Sequence, residues 1–119
     1  MSPDDAELRR ALLRERDEAQ ARLAEFEQTT KELADARSDA DTDDEHDPEG
    51  STVSWERAVA AASAQAAADH LEAVGQALAR IDAGWDGSCA GCGLPIPAER
   101  LAVRPHTDRC VPCASRGQQ

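Results

Sequence analysis

Apolar residues, with Thr30 among them, recur along the first third of the chain at Leu8, Leu12, Ala19, Leu23, Phe26, Thr30 and Leu33. The steps are mostly three and four, which returns each side chain to one face of a helix. The one polar gap falls near Glu15 and Arg16. Upstream, Ser2-Pro3-Asp4-Asp5 has the form of a helix start: a capping hydroxyl, a proline at the first helical position and an acid where a capping box places one. Asp5–Arg9, Glu18–Arg22 and Glu27–Lys31 are acid-before-base pairs four residues apart, which add modest support. The pattern predicts a helix from about Pro3 to Ala36.

A second seam is more regular. Val53, Arg57, Ala60, Ala64, Ala67, Leu71, Val74, Leu78 and Ile81 follow a near-unbroken three-four alternation, with Arg57 its only polar member. It predicts a helix from Ser51 or Thr52 to about Ala83. The central alanines allow two backbones to approach closely, and Gly75 is the weak point, costing about 1 kcal/mol relative to alanine. Two helices of similar length with matching seams predict an antiparallel coiled-coil hairpin, roughly 50 Å long at the helical rise per residue. Closed within one chain, the hairpin gives a monomer. The alternative is pairing between chains, which gives a dimer.

The connection is strongly acidic. Asp35, Asp39, Asp41, Asp43, Asp44, Glu45, Asp47 and Glu49 face a single Arg37, and Pro48 and Gly50 are expected to break helix. The expected tip loop, 38–51, is longer than most helix–helix connections, and such loops are often functional or disordered. One reading is a solvated, self-repelling turn. The other is an acidic tip that meets a partner through Asp41, Asp43, Asp44 and Asp47. His46 and His70 are isolated and read as ordinary polar positions.

From Gly84 the chain changes character, and glycine, proline and cysteine dominate. Cys89 and Cys92 form one C-x2-C pair, seventeen residues follow, and Cys110 and Cys113 form a second. This spacing points to a structural zinc site with those four cysteines as metal ligands. A two-residue spacer lets one tight turn present two thiolates to the same ion. Gly91 and Gly93 ease the backbone around that turn. Four thiolates close the tetrahedron and leave no open position for water or substrate, so the one expected zinc ion is structural rather than catalytic. The competitors are thiol redox chemistry at the C-x-x-C pairs and an iron–sulfur cluster on the same ligands. With four cysteines in place, His106 reads as a loop residue. The expected organisation is a hairpin over 1–83 and a C4 zinc-finger module with a short tail over 84–119, mainly α throughout.

Composition narrows the function. Trp55, Trp85 and Phe26 are the only aromatics in 119 residues, so a large globular core is out of reach; a small module needs a staple such as a metal. The formal net charge of −11 opposes direct binding to nucleic acid, which needs a basic footprint. It suits a basic protein surface as partner, or simply solubility. No stretch has the roughly 18 apolar residues of a membrane span, and Met1–Arg10 is too polar for a signal peptide. Cytoplasmic residence is the expectation, where reduced cysteines favour metal over disulfides. No nucleophile–base pair or phosphate loop is visible, and no enzyme is expected.

Ala77-Leu78-Ala79-Arg80-Ile81-Asp82-Ala83-Gly84, the first cysteine pair with Gly93, then Ile96, Arg100-Leu101, Ala102 and Pro105, and the second pair closely resemble the DksA/TraR zinc-finger family. The likeness runs residue by residue from about Leu78 to Cys113. It implies a transcription regulator that binds RNA polymerase through its secondary channel and places acidic tip residues near the active-site magnesium, often acting with the alarmone ppGpp. The Asp-x-x-Asp part of the family's tip motif is present at Asp41–Asp44 and Asp44–Asp47, without the alanine that follows it in relatives. Trp85 stands one place before the family's usual aromatic slot, which Asp86 fills. Two readings remain beside this one: a zinc-stapled interaction module with another partner, and a redox or zinc sensor.

Overall fold

The computed structural model describes residues 5–40 and 48–117. The protein is mainly helical: α1 spans Asp5–Ala40, α2 Pro48–Asp82, α3 Ala98–Val103 and α4 Val111–Arg116. Among the described residues there is no strand beyond one isolated antiparallel bridge between Ser88 and Pro95.

Both long helices run further into the expected connection than the sequence pattern implies. α1 continues past Ala36 to Ala40, because Arg37, Ser38 and Asp39 carry no helix breaker. α2 begins at Pro48 rather than at Ser51 and takes in Gly50. Proline was expected to break helix here, yet at a first helical position its missing N–H is one the helix never uses, and its fixed φ is already helical. The acidic positions Asp41, Asp43, Asp44 and Asp47, together with His46, lie outside the described residues.

The chain divides into two compact units, residues 18–70 and residues 1–17 with 71–119. In the first unit the expected seams are present. Ala19, Ala60 and Ala67 are buried, while Leu23, Phe26, Thr30, Val53, Arg57 and Ala64 are half-buried. Thr30 fits its seam position because its hydroxyl donates to the Phe26 carbonyl at 2.8 Å, which satisfies the polar group within the helix. Small side chains leave a groove of about 280 Å³ lined by Leu23, Thr30, Ala61 and Ala64 among others.

The second unit holds the larger core. Leu8 and Leu12 of α1 pack with Val74, Ala77 and Ile81 of α2, and with Cys89, Ile96, Leu101 and Cys113 of the C-terminal segment. Leu12 and Val74 are fully enclosed. At the surface of this unit Arg9 pairs with Asp82. α2 ends on a glycine cap: Gly84, at φ 90°, donates to the Ile81 carbonyl at 3.0 Å, and Trp85 N–H reaches back to the Arg80 carbonyl at 2.9 Å. This is the paired arrangement that satisfies the last carbonyls of a helix. It also turns the chain toward the cysteines, and the Arg80 guanidinium lies over the Trp85 ring, 5.4 Å from its centre.

Two substitutions test this packing. Leu12→Ala should cost about 3 kcal/mol of unfolding free energy in the zinc-loaded chain, read by urea denaturation; a loss below about 0.5 kcal/mol, as expected of a plain surface change, rules out the enclosed position. Gly75→Ala should instead stabilise, by up to about 1 kcal/mol, because a Cβ there meets nothing within 4 Å.

Candidate metal centre

Two short backbone devices bring the cysteines together. After Gly87 the chain folds on itself: Ile96 N–H donates to the Gly87 carbonyl at 2.8 Å and Cys89 N–H to the Leu94 carbonyl at 2.7 Å. Gly93 N–H closes the turn onto the Cys89 carbonyl at 2.9 Å, with Gly93 at φ 79°. Asp86 fixes the entry to this turn by accepting from the Ser88 hydroxyl at 2.6 Å and the Ser88 N–H at 3.0 Å. Those bonds, the hydroxyl's first, hold its carboxyl below the usual range. The displaced Trp85 donates its indole N–H to the Ser88 carbonyl at 3.1 Å, so it braces the same turn.

The second pair rides on α4. Cys110 is the N-cap residue, Pro112 lies in the first turn, and Cys113 faces inward. Thr107, buried, holds the approach: its hydroxyl donates to the Arg109 carbonyl at 3.0 Å and accepts from Arg109 N–H at 3.2 Å. Ala90 N–H donates across to the Asp108 carbonyl at 2.8 Å and ties the two halves together.

The sulfurs of Cys89, Cys92, Cys110 and Cys113 all lie within 4.8 Å of one another. Cys92 and Cys110 are 3.9 Å apart. Four thiolates around zinc, each at about 2.3 Å, place their sulfurs about 3.8 Å from each other. The set therefore fits one zinc ion. Backbone N–H groups of Gly91 and Cys110 both point at Cys89 Sγ, each at 3.3 Å. Cys89 and Cys113 are buried, Cys110 is half-buried and Cys92 is exposed.

Gly91 does more here than ease a turn. A Cβ at this position would stand 3.0 Å from both the Cβ and the Sγ of Cys113. The second cysteine pair can approach the first only because that volume is empty.

Electrostatics point the same way. The Cys110 N–H, above all, lowers the Cys89 thiol to about 6, against desolvation. At Cys110 the Cys113 N–H acts to lower the thiol, but desolvation and the neighbouring sulfurs of Cys113, Cys89 and Cys92 outweigh it and push it up to about 11. Like charges this close resist ionising together, and a divalent cation removes the conflict.

His106, expected in a loop, does lie between α3 and α4, but it is not an idle loop residue. Its Nδ1 is 3.4 Å from Glu15 Oε2 on α1, and its carbonyl accepts from Arg80 at 3.2 Å. Glu15 is the polar gap in the first seam, so the gap marks where the helix meets the C-terminal segment. Beside it opens a cleft of about 390 Å³ whose walls include Arg80, Arg100, Arg104, His106 and Arg109. The sequence reading also missed Arg116, whose Nη2 lies 3.3 Å from Cys113 Sγ. Its position three residues after Cys113 on a helix was the available signal.

Zinc affinity should rise with pH between about 6 and 8, because raised thiols such as Cys110 must lose a proton to ligate; isothermal titration in buffers of different ionisation enthalpy checks this through the protons released. Gly91→Ala should weaken zinc binding by about tenfold or more, a loss of the size that disturbed outer-shell packing brings. Binding equal to the parent's in a chelator competition excludes the close approach.

Residues 84–119 match the family model described as the prokaryotic dksA/traR C4-type zinc finger. No curated protein matches the chain. In fold the chain is similar to the solved structure of transcription factor DksA2 from Pseudomonas aeruginosa, at a TM-score of 0.77 and 24% sequence identity, over 96% of this chain and 82% of that one. The cysteine spacing and the sulfur cluster agree with the match of residues 84–119 to the C4-type zinc-finger model.

Proposed function

We propose that this protein is a non-enzymatic transcription regulator that binds RNA polymerase, enters its secondary channel with the acidic connection between α1 and α2, and modulates initiation there. The observation that carries the reading is the family zinc finger joined to a pair of long helices in a DksA2-like fold. Cys89, Cys92, Cys110 and Cys113 hold one zinc ion with no open position, so the metal organises and does not react. The zinc organises the C-terminal end, residues 84–119, while the helical pair comes from 1–83.

Charge supports the same division of labour. The connection presents Asp41, Asp43, Asp44 and Asp47 in a short stretch, suited to approach a bound cation or a basic surface. Arg80 at the end of α2, with Arg100, Arg104 and Arg109 of the C-terminal segment, presents the opposite sign around the cleft, suited to an acidic patch on the polymerase exterior. Direct nucleic-acid binding is disfavoured by the net charge of −11. Among the described residues no helix is long and apolar enough to cross a membrane. Action as a monomer in the cytoplasm completes the reading.

Purified bacterial RNA polymerase should retain the zinc-loaded chain in a pull-down and lose it when the metal is stripped. Replacing Asp41, Asp43, Asp44 and Asp47 together by alanine should leave binding largely intact and abolish the effect on transcription in vitro. Absent binding sinks the polymerase reading; an unchanged transcriptional effect of the quadruple variant sinks the role of the tip.

A further inference from the structure

The four sulfurs are not equivalent in what surrounds them. Cys89 Sγ receives two backbone N–H groups, from Gly91 and Cys110. Cys113 Sγ receives a side chain, the Arg116 guanidinium, at 3.3 Å. Arg116 occupies the last turn of α4, and the Gly117 N–H donates back to the Cys113 carbonyl at 2.9 Å to close that turn. The i, i+3 spacing puts the guanidinium on the same face as the sulfur.

A zinc ion on four thiolates carries a formal surplus of two negative charges, one reason such sites depend on the donors around them. Backbone N–H groups spread that charge without cancelling it. A guanidinium does both, since its N–H bonds to an ionised acceptor are stronger than neutral ones.

We propose that Arg116 is a positioning residue of the metal centre, orienting the Cys113 sulfur toward the ion and offsetting part of the excess charge, so that zinc retention depends on it. The inference goes beyond the polymerase reading and does not rest on it, because it is tested without any partner.

The competing explanation is that Arg116 serves only the end of α4, where a cation complements the helix dipole. The two roles separate experimentally. Full-length chain carrying Arg116→Gln, Arg116→Lys or, as a control away from the sulfurs, Arg104→Gln is compared with the parent in two measurements. The first is zinc affinity by competition with a chromophoric chelator. The second is the thiolate-to-metal charge-transfer band of the cobalt(II)-substituted protein, which reports electron density at sulfur. Arg116→Gln should weaken zinc binding by about tenfold or more, within the range seen for outer-shell partners, and move the band to lower energy, because sulfur loses a donor. Arg116→Lys, which keeps the charge but not the planar fork, should fall between Arg116→Gln and the parent in both measurements. Arg104→Gln should match the parent. If Arg116→Gln behaves like Arg104→Gln, the proposal is overturned. Weaker binding with an unmoved band also overturns it, since that pattern belongs to the helix end alone.

Discussion

Four thiol sulfurs lie within 4.8 Å of one another, and two of them, Cys89 and Cys113, belong to the same apolar cluster as Leu8, Leu12, Val74 and Leu101. That double membership constrains the whole second unit. The sulfurs must ionise to bind metal, yet ionised and unpaired they could not sit in an apolar core. Zinc resolves both demands at once. It offsets half of the thiolates' charge and lets their β-carbons pack as hydrocarbon. Metal binding and core formation are then one event, as in other small modules that fold on their ion. The chain needs this because its aromatic content is three residues, and few other side chains could fill the space between α1, α2 and the C-terminal segment.

The rest of the local structure follows from bringing those sulfurs together. Gly91 keeps clear the volume that the second cysteine pair enters. Gly84 turns the chain off α2 at the point where Arg80 reaches both the Trp85 ring and the His106 carbonyl. Ala90 and Asp108 join the two halves through one backbone bond. Residues 18–70 rely on a different principle. Among their described residues the buried positions are alanines, Ala19, Ala60 and Ala67, so close backbone approach replaces bulk, and each contact gives little by itself. The larger buried side chains, Leu12, Val74 and Leu101, all lie in the other unit, and that is where the metal acts.

Much of this was legible beforehand, for physical reasons that differ by residue. Cysteine spacing is a strong signal because few chemistries need two C-x2-C pairs, and the four sulfurs do converge. The helical seams were legible because period and burial are directly linked, and Leu8, Leu12, Ala19, Ala60, Ala67, Val74 and Ile81 are buried as the pattern implies. The ends of the long helices were not. Proline carries opposite meanings at a first helical position and in a helix interior, and only the start of α2 at Pro48 decides between them. Gly91 was noticed for the wrong reason: sequence suggests backbone freedom, whereas the structure shows a close approach from a residue twenty-two positions away. Glu15 looked like a flaw in a seam because its partner, His106, comes from a distant segment. Periodicity reports which face a residue occupies, not what meets it there. The acidic tip positions lie outside the described residues, so the sequence alone speaks for them.

Charge shows how the two ends of the chain are related as chemistry. Residues 84–119 carry Arg100, Arg104, Arg109 and Arg116 against Asp86, Glu99 and Asp108, while residues 1–83 hold 21 of the 24 acids. A slightly basic segment on so acidic a chain invites an explanation through anionic partners. Part of the explanation is internal. Four thiolates on one zinc leave two negative charges over, and Arg116 already donates to one of those sulfurs. Counting the ligated metal, the segment is close to neutral, so its net charge by itself implies no affinity for nucleic acid. What remains distinctive is placement. Arg80, Arg100, Arg104 and Arg109 line one cleft, whereas Arg116 turns to the Cys113 sulfur. The guanidiniums thus divide: Arg116 lies against a sulfur, Arg80 is held by the Trp85 ring and the His106 carbonyl, and Arg100, Arg104 and Arg109 line the cleft with it, while the acids of residues 1–83 crowd toward the connection between the long helices. A chain so arranged presents opposite signs from different segments, which a partner can read as orientation.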